Sequence, residues 1–423
     1  MEDTQKKKER AALAGLAAAS MDATECSTDE SMDELWALAQ TAGAEPVCTV
    51  LQTRNAPDPR SFLGAGKVAE LKELALAQEC ELVIIDNELS PSQARVLEEE
   101  LGLRVLDRTG LILDIFAQRA RTREGRLQVE LAQYRYLLPR LTGMWTHLKR
   151  QAGTSAPIGT RGPGETQLET DRRHIRRRIR LLSEELEQVR RVRGTQRRLR
   201  EKNAVPVVAL VGYTNAGKST LLNTLTGSDI QTGDRLFDTL DTTTRRLSLG
   251  EQGEALLSDT VGFIRKLPTE LVDAFRATLE ELSFADLILH VVDVSSPDWE
   301  EQQRVTEELI VRLGAEQTPC IRVYNKCDRY FGRLPGGEDT VCVCALDGEG
   351  TEALRRAIGN KLGVGTVRGR WCIPYSRTAL VDRLRREATV LQLEYAEEGT
   401  VVTAAVRPTL QRELAAFEVA DHG

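Results

Sequence analysis

The sequence lacks two patterns that mark common classes of protein. Its eight cysteines include no C-x-x-C pair and lie scattered through apolar runs, which is typical of reduced, buried thiols and argues against a structural zinc site. No apolar stretch reaches the about 18 residues needed to cross a bilayer. We therefore expect a cytoplasmic protein without a membrane span.

The chain also lacks an excess of positive charge. Its formal net charge is −7, so the molecule as a whole repels nucleic acid, and contact with RNA or DNA requires local segregation of charge. With 423 residues, of which 41% are hydrophobic, the chain is long enough for about three domains with real cores.

The first 122 residues alternate short apolar runs with helical patterns, which predicts a small parallel α/β domain. The strand candidates are 47–52, 82–85 and 103–106, and the helix candidates are 32–41, 68–79 and 91–101. Gly64-Ala65-Gly66-Lys67 resembles half of a phosphate loop, but no Ser or Thr follows it, so we interpret it as a turn before a helix. Residues 6–19 faintly resemble a signal peptide; their apolar part is almost all alanine, and we do not expect export.

Two series of apolar residues then recur at alternating spacings of three and four, as in helices that pack on each other. The first is Leu127, Leu131, Tyr134, Leu138, Leu141, Trp145 and Leu148, and the second is Leu168, Ile175, Ile179, Leu182, Leu186 and Val189. A Gly- and Pro-rich segment separates them. The sequence therefore predicts two long antiparallel helices, the first kinked at Pro139.

The second of these helices is strongly basic. Residues 171–202 hold thirteen Lys and Arg against five Asp and Glu. A solvated helix face is the common meaning of such a run, but uncompensated like charge in so short a segment costs stability, and we favour a polyanion partner. The candidate RNA contacts are Arg161, Arg172, Arg173, Arg176, Arg177, Arg178 and Arg180.

The strongest motif is a nucleotide-phosphate loop. The apolar run 207–211 leads directly into Gly212-Tyr213-Thr214-Asn215-Ala216-Gly217-Lys218-Ser219, and a helical pattern follows from Thr220. This is a complete G-x-x-x-x-G-K-S between a strand and a helix. Backbone N–H groups and the helix N-terminus would bind phosphate oxygens, Lys218 would reach the β- and γ-phosphates as a catalytic group, and Ser219 would ligate Mg²⁺.

Three further motifs follow in the expected order. Asn325-Lys326-Cys327-Asp328 indicates guanine, because the Asp328 carboxylate can accept hydrogen bonds from N1–H and the N2 amine, a donor pair that adenine lacks. Asp259-Thr260-Val261-Gly262 follows a strand pattern and places Asp259 near Mg²⁺ and the Gly262 N–H near the γ-phosphate. Phe237-Asp238-Thr239-Leu240-Asp241 offers Thr239 to complete the Mg²⁺ shell while the γ-phosphate is present.

Two residues of these motifs predict how hydrolysis works. Phe263 stands where many GTPases carry the Gln that orients water, and a phenyl ring cannot do so; we expect slow hydrolysis alone and a partner that completes the site. Asn215 can contact a monovalent cation such as K⁺ that bridges the nucleotide phosphates, or it simply stabilises the loop.

Taken together, these segments closely resemble the HflX family of ribosome-associated GTPases. The resemblance spans roughly residues 30–365 and is carried by Gly64-Ala65-Gly66-Lys67-Val68, by 111–131 (LILDIFAQRARTREGRLQVEL), by 159–173 (GTRGPGETQLETDRR), by GYTNAGKS and by DTVGF at 259–263. The segment 159–173 is much more specific than any single GTPase motif.

The resemblance implies an α/β protein of four parts. These are an N-terminal α/β subdomain (1–122), a long antiparallel helical hairpin (123–203) with a Gly-rich tip (152–166), a Ras-like P-loop GTPase domain (204–365) and a small C-terminal α/β domain (366–423). It also implies binding to the large ribosomal subunit and its rRNA, and splitting or rescue of stalled or idle ribosomes under stress. We expect a monomer.

The chain departs from the family pattern at the guanine edge and in the segment around Thr239. Cys344-Ala345 replaces the usual Ser-Ala; the Ala345 N–H can still meet guanine O6, but a thiol is a poorer hydrogen-bond partner, which predicts some loss of nucleotide affinity. Asp238 and Thr242 replace Ala and Pro, which predicts a looser segment.

Two other functions compete with this interpretation. One is an RNA-binding or ribosome-assembly scaffold in which GTP only gates affinity, and Phe263 keeps it open. The other is a tRNA-modification GTPase, which we disfavour because the chain lacks the C-terminal catalytic Cys motif that this function requires.

Overall fold

The chain folds into three α/β units and a helical hairpin. A computed structural model describes residues 8–22, 25–151, 163–202, 205–228, 236–237, 243–250, 253–266, 282–337, 339–363, 367–406 and 408–419. The fold class predicted from the sequence is confirmed. In this part of the chain no helix is long and apolar enough to span a membrane.

The N-terminal unit is a four-stranded parallel sheet with the strand order β2-β1-β3-β4. Along the chain its elements are β1 Arg10–Ala18, α1 Asp29–Ala42, β2 Glu45–Arg54, α2 Ala65–Ala77, β3 Leu82–Ile85, α3 Pro91–Leu101, β4 Arg104–Asp107 and α4 Arg108–Arg119. Helices α1 and α4 pack on one face of the sheet and α2 and α3 on the other. Gly64 lies directly before α2. A helix follows as predicted, but it begins three residues earlier, since Ala65, Gly66 and Lys67 of the predicted turn form its first turn.

Strand β1 was missed by the sequence analysis. Its residues are almost all alanine, which is depleted in strands, and the run resembled a signal peptide instead. In the structure β1 is a central strand whose Ala11 and Ala12 face opposite cores. Small side chains allow close approach of the helices, and at Gly15 a Cβ atom would lie 2.6 Å from Met32 Sδ. Because helices cover both faces of the sheet, the sequence of β1 does not alternate between apolar and polar residues.

The hairpin consists of α5 Arg123–Gln151 and α6 Pro163–Lys202. Ion pairs join Arg123 to Glu185 and Glu130 to Arg178, so the helices run antiparallel as predicted. Leu127, Leu131, Leu182 and Leu186 form their shared core. Helix α5 continues through Pro139, and residues 163–166 of the predicted tip are already helical because proline is favoured in the first turn of a helix.

The central unit is a six-stranded sheet with the order β10-β9-β8-β5-β7-β6, in which β6 is antiparallel to its neighbour. Its elements are β5 Val207–Gly212, α7 Lys218–Thr226, β6 Thr243–Ser248, β7 Glu254–Asp259, β8 Leu287–Asp293, α8 Trp299–Arg312, β9 Cys320–Asn325, β10 Thr340–Cys342 and α9 Thr351–Leu362. Because the strand order reverses beside β5, a crevice opens at the carboxyl edge of the sheet, where such folds bind ligands.

The C-terminal unit is a small antiparallel sheet, β11-β13-β12, packed on two helices. Its elements are β11 Val367–Ile373, α10 Thr378–Glu387, β12 Thr389–Ala396, β13 Gly399–Val406 and α11 Pro408–Leu414. Trp371 is fully buried in its core. The exact boundaries between the four parts of the chain remain predictions.

The N-terminal and central units share one hydrophobic core. It runs without a break from Leu35 of α1 and Phe116 of α4 to Phe237, Phe263 and Ile264 of the central unit. The rings of Phe116 and Phe237 meet edge to face with their centroids 4.7 Å apart. These two units are therefore packed as one body at this contact.

A histidine inside the central sheet makes stability sensitive to acid. His290 of β8 is 1% exposed, and in the described structure neither of its nitrogens has a hydrogen-bond partner. Burial, together with Arg322 and Lys218, lowers the pKa of its imidazole to about 3. Below about pH 6.5 the His290 imidazole is therefore protonated in the unfolded chain but stays neutral in the folded protein.

We expect the free energy of unfolding to fall by about 1.5 kcal/mol more in the wild type than in His290→Leu between pH 6.5 and pH 5. Denaturant unfolding of both proteins across this range measures the difference, in which the protonation of carboxylates cancels. Parallel pH profiles would show that His290 is protonated in the folded protein.

Candidate nucleotide-binding site

The predicted phosphate loop connects β5 to α7. Lys218, the first residue of α7, is 6% exposed, and its ammonium donates to the backbone carbonyls of Gly212 at 3.0 Å and Tyr213 at 2.7 Å. Burial lowers the pKa of this ammonium to about 8. Gly217 precedes the helix with φ of 88°, a conformation that favours glycine. The phosphate loop thus brings the buried Lys218 ammonium and the N-terminus of α7 together at the carboxyl edge of the sheet.

The predicted magnesium ligands that the structure describes lie side by side. The Ser219 hydroxyl donates to an Asp259 carboxylate oxygen at 2.6 Å, and the adjacent Thr260 hydroxyl is used by the fold, since it donates to Leu210 O at 2.6 Å. Hydroxyl and carboxylate oxygens are the donors that Mg²⁺ prefers, so this pair fits the ion. No group of three His, Cys, Asp or Glu side chains in the described structure could hold a metal by itself, and phosphate oxygens would supply further ligands.

The guanine motif is held against the phosphate loop. The Asn325 side chain donates to Ala216 O at 2.9 Å and accepts from the Ala345 N–H at 3.0 Å. The Lys326 ammonium reaches Asn215 O at 3.0 Å and Asp293 at 2.6 Å. These bonds bring three loops together at the carboxyl edge of the sheet. The sequence predicted each loop separately.

The side chains predicted to read the base lie beside this junction. Asp328 is partly exposed and lies 3.7 Å from Arg329, so its carboxylate is accessible to a base. The Cys344 thiol donates to Asp347 at 3.3 Å, and burial raises its pKa. Cys327 donates to Tyr324 O at 3.1 Å, which turns its thiol toward the protein.

Asn215 has left-handed backbone geometry, with φ of 61°. Asn adopts this conformation more readily than most residues, which supports its loop-stabilising role. A contact with K⁺ stays a prediction.

Gly262, whose N–H is predicted to reach the γ-phosphate, lies close to the phosphate loop. A Cβ atom at this position would stand 2.8 Å from Thr214 Cγ2 and 3.1 Å from Lys218 Nζ, so Gly262 faces the phosphate loop directly. The next residue, Phe263, is 1% exposed, and its carbonyl accepts from the Thr214 N–H at 2.8 Å. Its ring lies in the core shared with the N-terminal unit, along with Val261.

The segment around Thr239 is described only at Leu236 and Phe237. The Phe237 ring is buried against Phe116, so its side chain binds the N-terminal unit. The other residues predicted there, Asp238, Thr239, Leu240 and Asp241, lie outside the described residues, and so does Arg161 of the hairpin tip.

A cluster of buried charges joins the site to the N-terminal unit and was not predicted. We call it the seam cluster; it comprises Glu34, Asp86, Arg108, Tyr213 and Lys266. Asp86 and Arg108 directly follow β3 and β4. Charged residues at the carboxyl ends of buried strands were the signal that could have identified them, since polar functional groups gather at this edge of parallel sheets.

The fold and this arrangement of motifs define a P-loop GTPase. Family models match three consecutive parts of the chain: "GTP-binding GTPase N-terminal" at 29–117, "GTP-binding GTPase Middle Region" at 119–200 and "50S ribosome-binding GTPase" at 207–326. The chain belongs to the HflX family of GTPases, and it hydrolyses GTP.

Two HflX relatives agree with this family. GTPase HflX of Caldanaerobacter subterraneus subsp. tengcongensis is 46% identical over 417 residues, which cover 99% of this chain and 95% of the relative. GTPase HflX of Escherichia coli K12 is 43% identical over 385 residues, or 89% of each chain. A crystal structure of a GTP-binding protein from Sulfolobus solfataricus in complex with GDP aligns with a TM-score of 0.43 and 25% identity, over 84% of this chain and 98% of that one.

Nucleotide affinity should weaken as the pH rises above about 8. The Lys218 ammonium loses its proton near this pH in the free protein, whereas bound phosphates raise its pKa and keep it charged. Below about pH 8 the amine is protonated in both states, so affinity should be constant. Above it, binding should weaken by up to about tenfold per pH unit.

Titration of a fluorescent GDP analogue from about pH 7 to about pH 9 measures this slope. The Lys218→Ala variant binds more weakly and controls for ionisation of the base, because its profile should lack the Lys218 contribution. Equal slopes in the two proteins would show that Lys218 keeps an ordinary pKa.

Proposed function

We propose that this GTPase binds the large ribosomal subunit through its helical hairpin, and that hydrolysis of GTP drives the splitting or rescue of stalled or idle ribosomes under stress. The observation that carries the proposal is the arginine cluster of α6. Family membership supports it, since the family model that matches 207–326 is described as a 50S ribosome-binding GTPase.

The arginines divide into two groups. Arg178 pairs with Glu130 at 2.8 Å across the hairpin, and Arg180 lies 4.0 Å from Glu184. Within the described part of the chain no carboxylate pairs with the remaining four, Arg172, Arg173, Arg176 and Arg177. Four like charges on two turns of a helix then repel one another. Phosphates of rRNA would relieve this repulsion.

The GTPase site supports hydrolysis by positioning and charge. Lys218 would bind the β- and γ-phosphates, and Ser219, Asp259 and Thr239 would hold Mg²⁺, which stabilises the charge that develops on the phosphates. Gly262 would offer its N–H to the γ-phosphate. Because the Phe263 ring is buried in the core, it cannot orient the attacking water, and we assign that task to a group supplied or ordered by the ribosome.

Turnover of GTP should be slow for the protein alone and faster by about two orders of magnitude with large ribosomal subunits, because a water-orienting group contributes about this factor. Steady-state hydrolysis at saturating GTP, with large subunits and with small subunits as the control, measures it. Equal rates in all three conditions would mean that the chain contains its own water-orienting group.

A variant with four alanines should bind large subunits more weakly than the wild type, and its affinity should depend less on salt. The four replaced residues are Arg172, Arg173, Arg176 and Arg177. Each lost phosphate contact lowers the slope of log affinity against log salt by roughly 0.7 to 0.9, so four contacts lower it by about 3. Co-sedimentation with a non-hydrolysable GTP analogue at several salt concentrations gives the slope. Nucleotide affinity of the isolated protein should scarcely change.

The matched control removes the same charge from exposed arginines elsewhere: Arg60, Arg104, Arg246 and Arg304. Its salt slope should equal that of the wild type. If the hairpin variant also kept the wild-type slope, the arginine run would be a solvated helix face. A wild type that binds large subunits without faster hydrolysis would favour the scaffold function, in which GTP only gates affinity.

A further inference from the structure

The seam cluster is a compact group of five polar side chains at the contact between two units. Arg108 donates from one guanidinium nitrogen to Asp86 at 2.6 Å, and from the other to Glu34 and to Arg265 O. Lys266 reaches the second Asp86 oxygen at 2.5 Å. The Tyr213 hydroxyl donates to Glu34 and accepts from the Arg265 N–H at 2.8 Å. Glu34 and Asp86 thus pair with Arg108 within the N-terminal unit. Tyr213 and Lys266 of the central unit bond to Glu34 and Asp86 across the contact.

Stability alone does not explain this cluster. The side chains of Asp86, Arg108 and Lys266 are 0%, 2% and 5% exposed, and desolvation of buried charges offsets much of their mutual attraction. Burial opposes ionisation of Asp86, but Arg108 and Lys266 outweigh it and lower its pKa. Apolar side chains of similar size would hold the two units together as well. The Lys266–Asp86 ion pair instead favours one relative position of the units, since a displacement would leave the Lys266 ammonium without its carboxylate.

The cluster lies next to the parts of the site that respond to the γ-phosphate. Tyr213 is the second residue of the phosphate loop, and its carbonyl binds Lys218 at 2.7 Å. Lys266 follows Gly262 by four residues, and a backbone bridge pairs Tyr213 with Phe263. In GTPases the segment after the Asp-x-x-Gly motif changes position when the γ-phosphate is lost. A movement of this segment would therefore withdraw Lys266 from Asp86.

The other side of the cluster is bonded to the hairpin. Asp107, the neighbour of Arg108 in the chain, binds Arg140 of α5 at 2.7 Å and the Tyr136 hydroxyl at 2.6 Å. It also accepts from the Gly110 N–H at 2.8 Å and so caps α4. Arg140 lies over the Tyr136 ring at 3.6 Å. The dipeptide 107–108 thus contacts the hairpin with one side chain and the GTPase site with the next.

We propose that Asp107 and Arg108 are positioning residues that couple the hairpin to the GTPase site: a shift of α5 at Arg140 is felt at Tyr213 and Lys266, and the state of the nucleotide is felt at the hairpin. This reciprocity follows from linkage. Only the identity of the hairpin's partner rests on the proposed function. The coupling itself is a property of the free protein.

A double-mutant cycle tests the coupling without ribosomes. The rate of release of a fluorescent GDP analogue is measured for the full chain, for Arg140→Ala, for Arg108→Lys and for the double variant. Lysine keeps the charge, but one ammonium cannot serve two carboxylates as the guanidinium fork does. Each single change should alter release by about fivefold or more, and the double variant should match the larger single effect instead of their product.

The matched control is Arg123→Ala, which removes an exposed ion pair from the same helix α5. It should change release by less than about twofold. If Arg140→Ala behaves like this control, or if the two effects multiply, the coupling is refuted. Thermal unfolding checks that each variant is folded. Should Arg108→Lys not fold, Glu34→Gln takes its place in the cycle, because it removes the charge while it keeps the shape.

Ribosomes separate this proposal from the proposed function. Without nucleotide, Arg108→Lys should bind large subunits like the wild type, but with GTP it should lose at least about fivefold of the stimulated hydrolysis. A wild type that neither binds nor responds to subunits refutes the proposed function, and the release cycle still decides the coupling. A stimulated wild type whose release effects are multiplicative refutes the coupling and leaves the proposed function standing.

Discussion

The carboxyl ends of the parallel strands of two sheets meet in this protein, and most of its functional geometry depends on that contact. Parallel strands collect their following loops at one edge. In the N-terminal unit these loops supply Asp86 and Arg108, and in the central unit they supply Tyr213, Lys218 and Lys266. Each sheet therefore presents its polar groups to the other, and the bonds among them require that the edges stay aligned. The phosphate loop therefore contacts the N-terminal unit on one side, through Tyr213, and faces the predicted nucleotide position on the other.

The shared core strengthens this arrangement with apolar contacts. Phe237 and Phe263 both lie in or beside motifs predicted to contact the γ-phosphate and Mg²⁺, and both bury their rings toward the N-terminal unit. A polar Gln in place of Phe263 would have to leave this core or remain unsatisfied in it. The hydrophobic residue at the position where many GTPases carry Gln is thus consistent with the contact between the two units.

The sequence predicted local features well and distant contacts poorly. The phosphate loop was predictable because its eight residues are contiguous and lie between a strand and a helix. The antiparallel hairpin was predictable because Leu127, Leu131, Leu182 and Leu186 repeat at helical spacings. In contrast, β1 was missed since its alanines carry little strand preference, and α4 was missed because it follows β4 with no loop between them.

The pairing of charges within the seam cluster could not be predicted for another reason. Asp86 and Lys266 are 180 residues apart, and each alone resembles an ordinary exposed charge. Only the packing of the two units removes water from them and makes their pairing necessary. Tyr213 shows the same limit: its place in the phosphate loop suggested contact with nucleotide, while its hydroxyl is bonded to Glu34.

The anchoring of α5 also has a mechanical consequence. At 1.5 Å per residue, the eleven residues that follow Arg140, up to Gln151, extend about 17 Å beyond the anchor. Pro139 lies immediately before it, and the helix lacks a backbone hydrogen bond there because proline has no N–H. Helix α5 therefore bends most easily at Pro139, directly beside Arg140, where it is bonded to Asp107. The part of α5 beyond Arg140 is called the arm. A tilt of about 10° at this pivot would move the far end of the arm by about 3 Å, while the displacement at Asp107 itself would stay small.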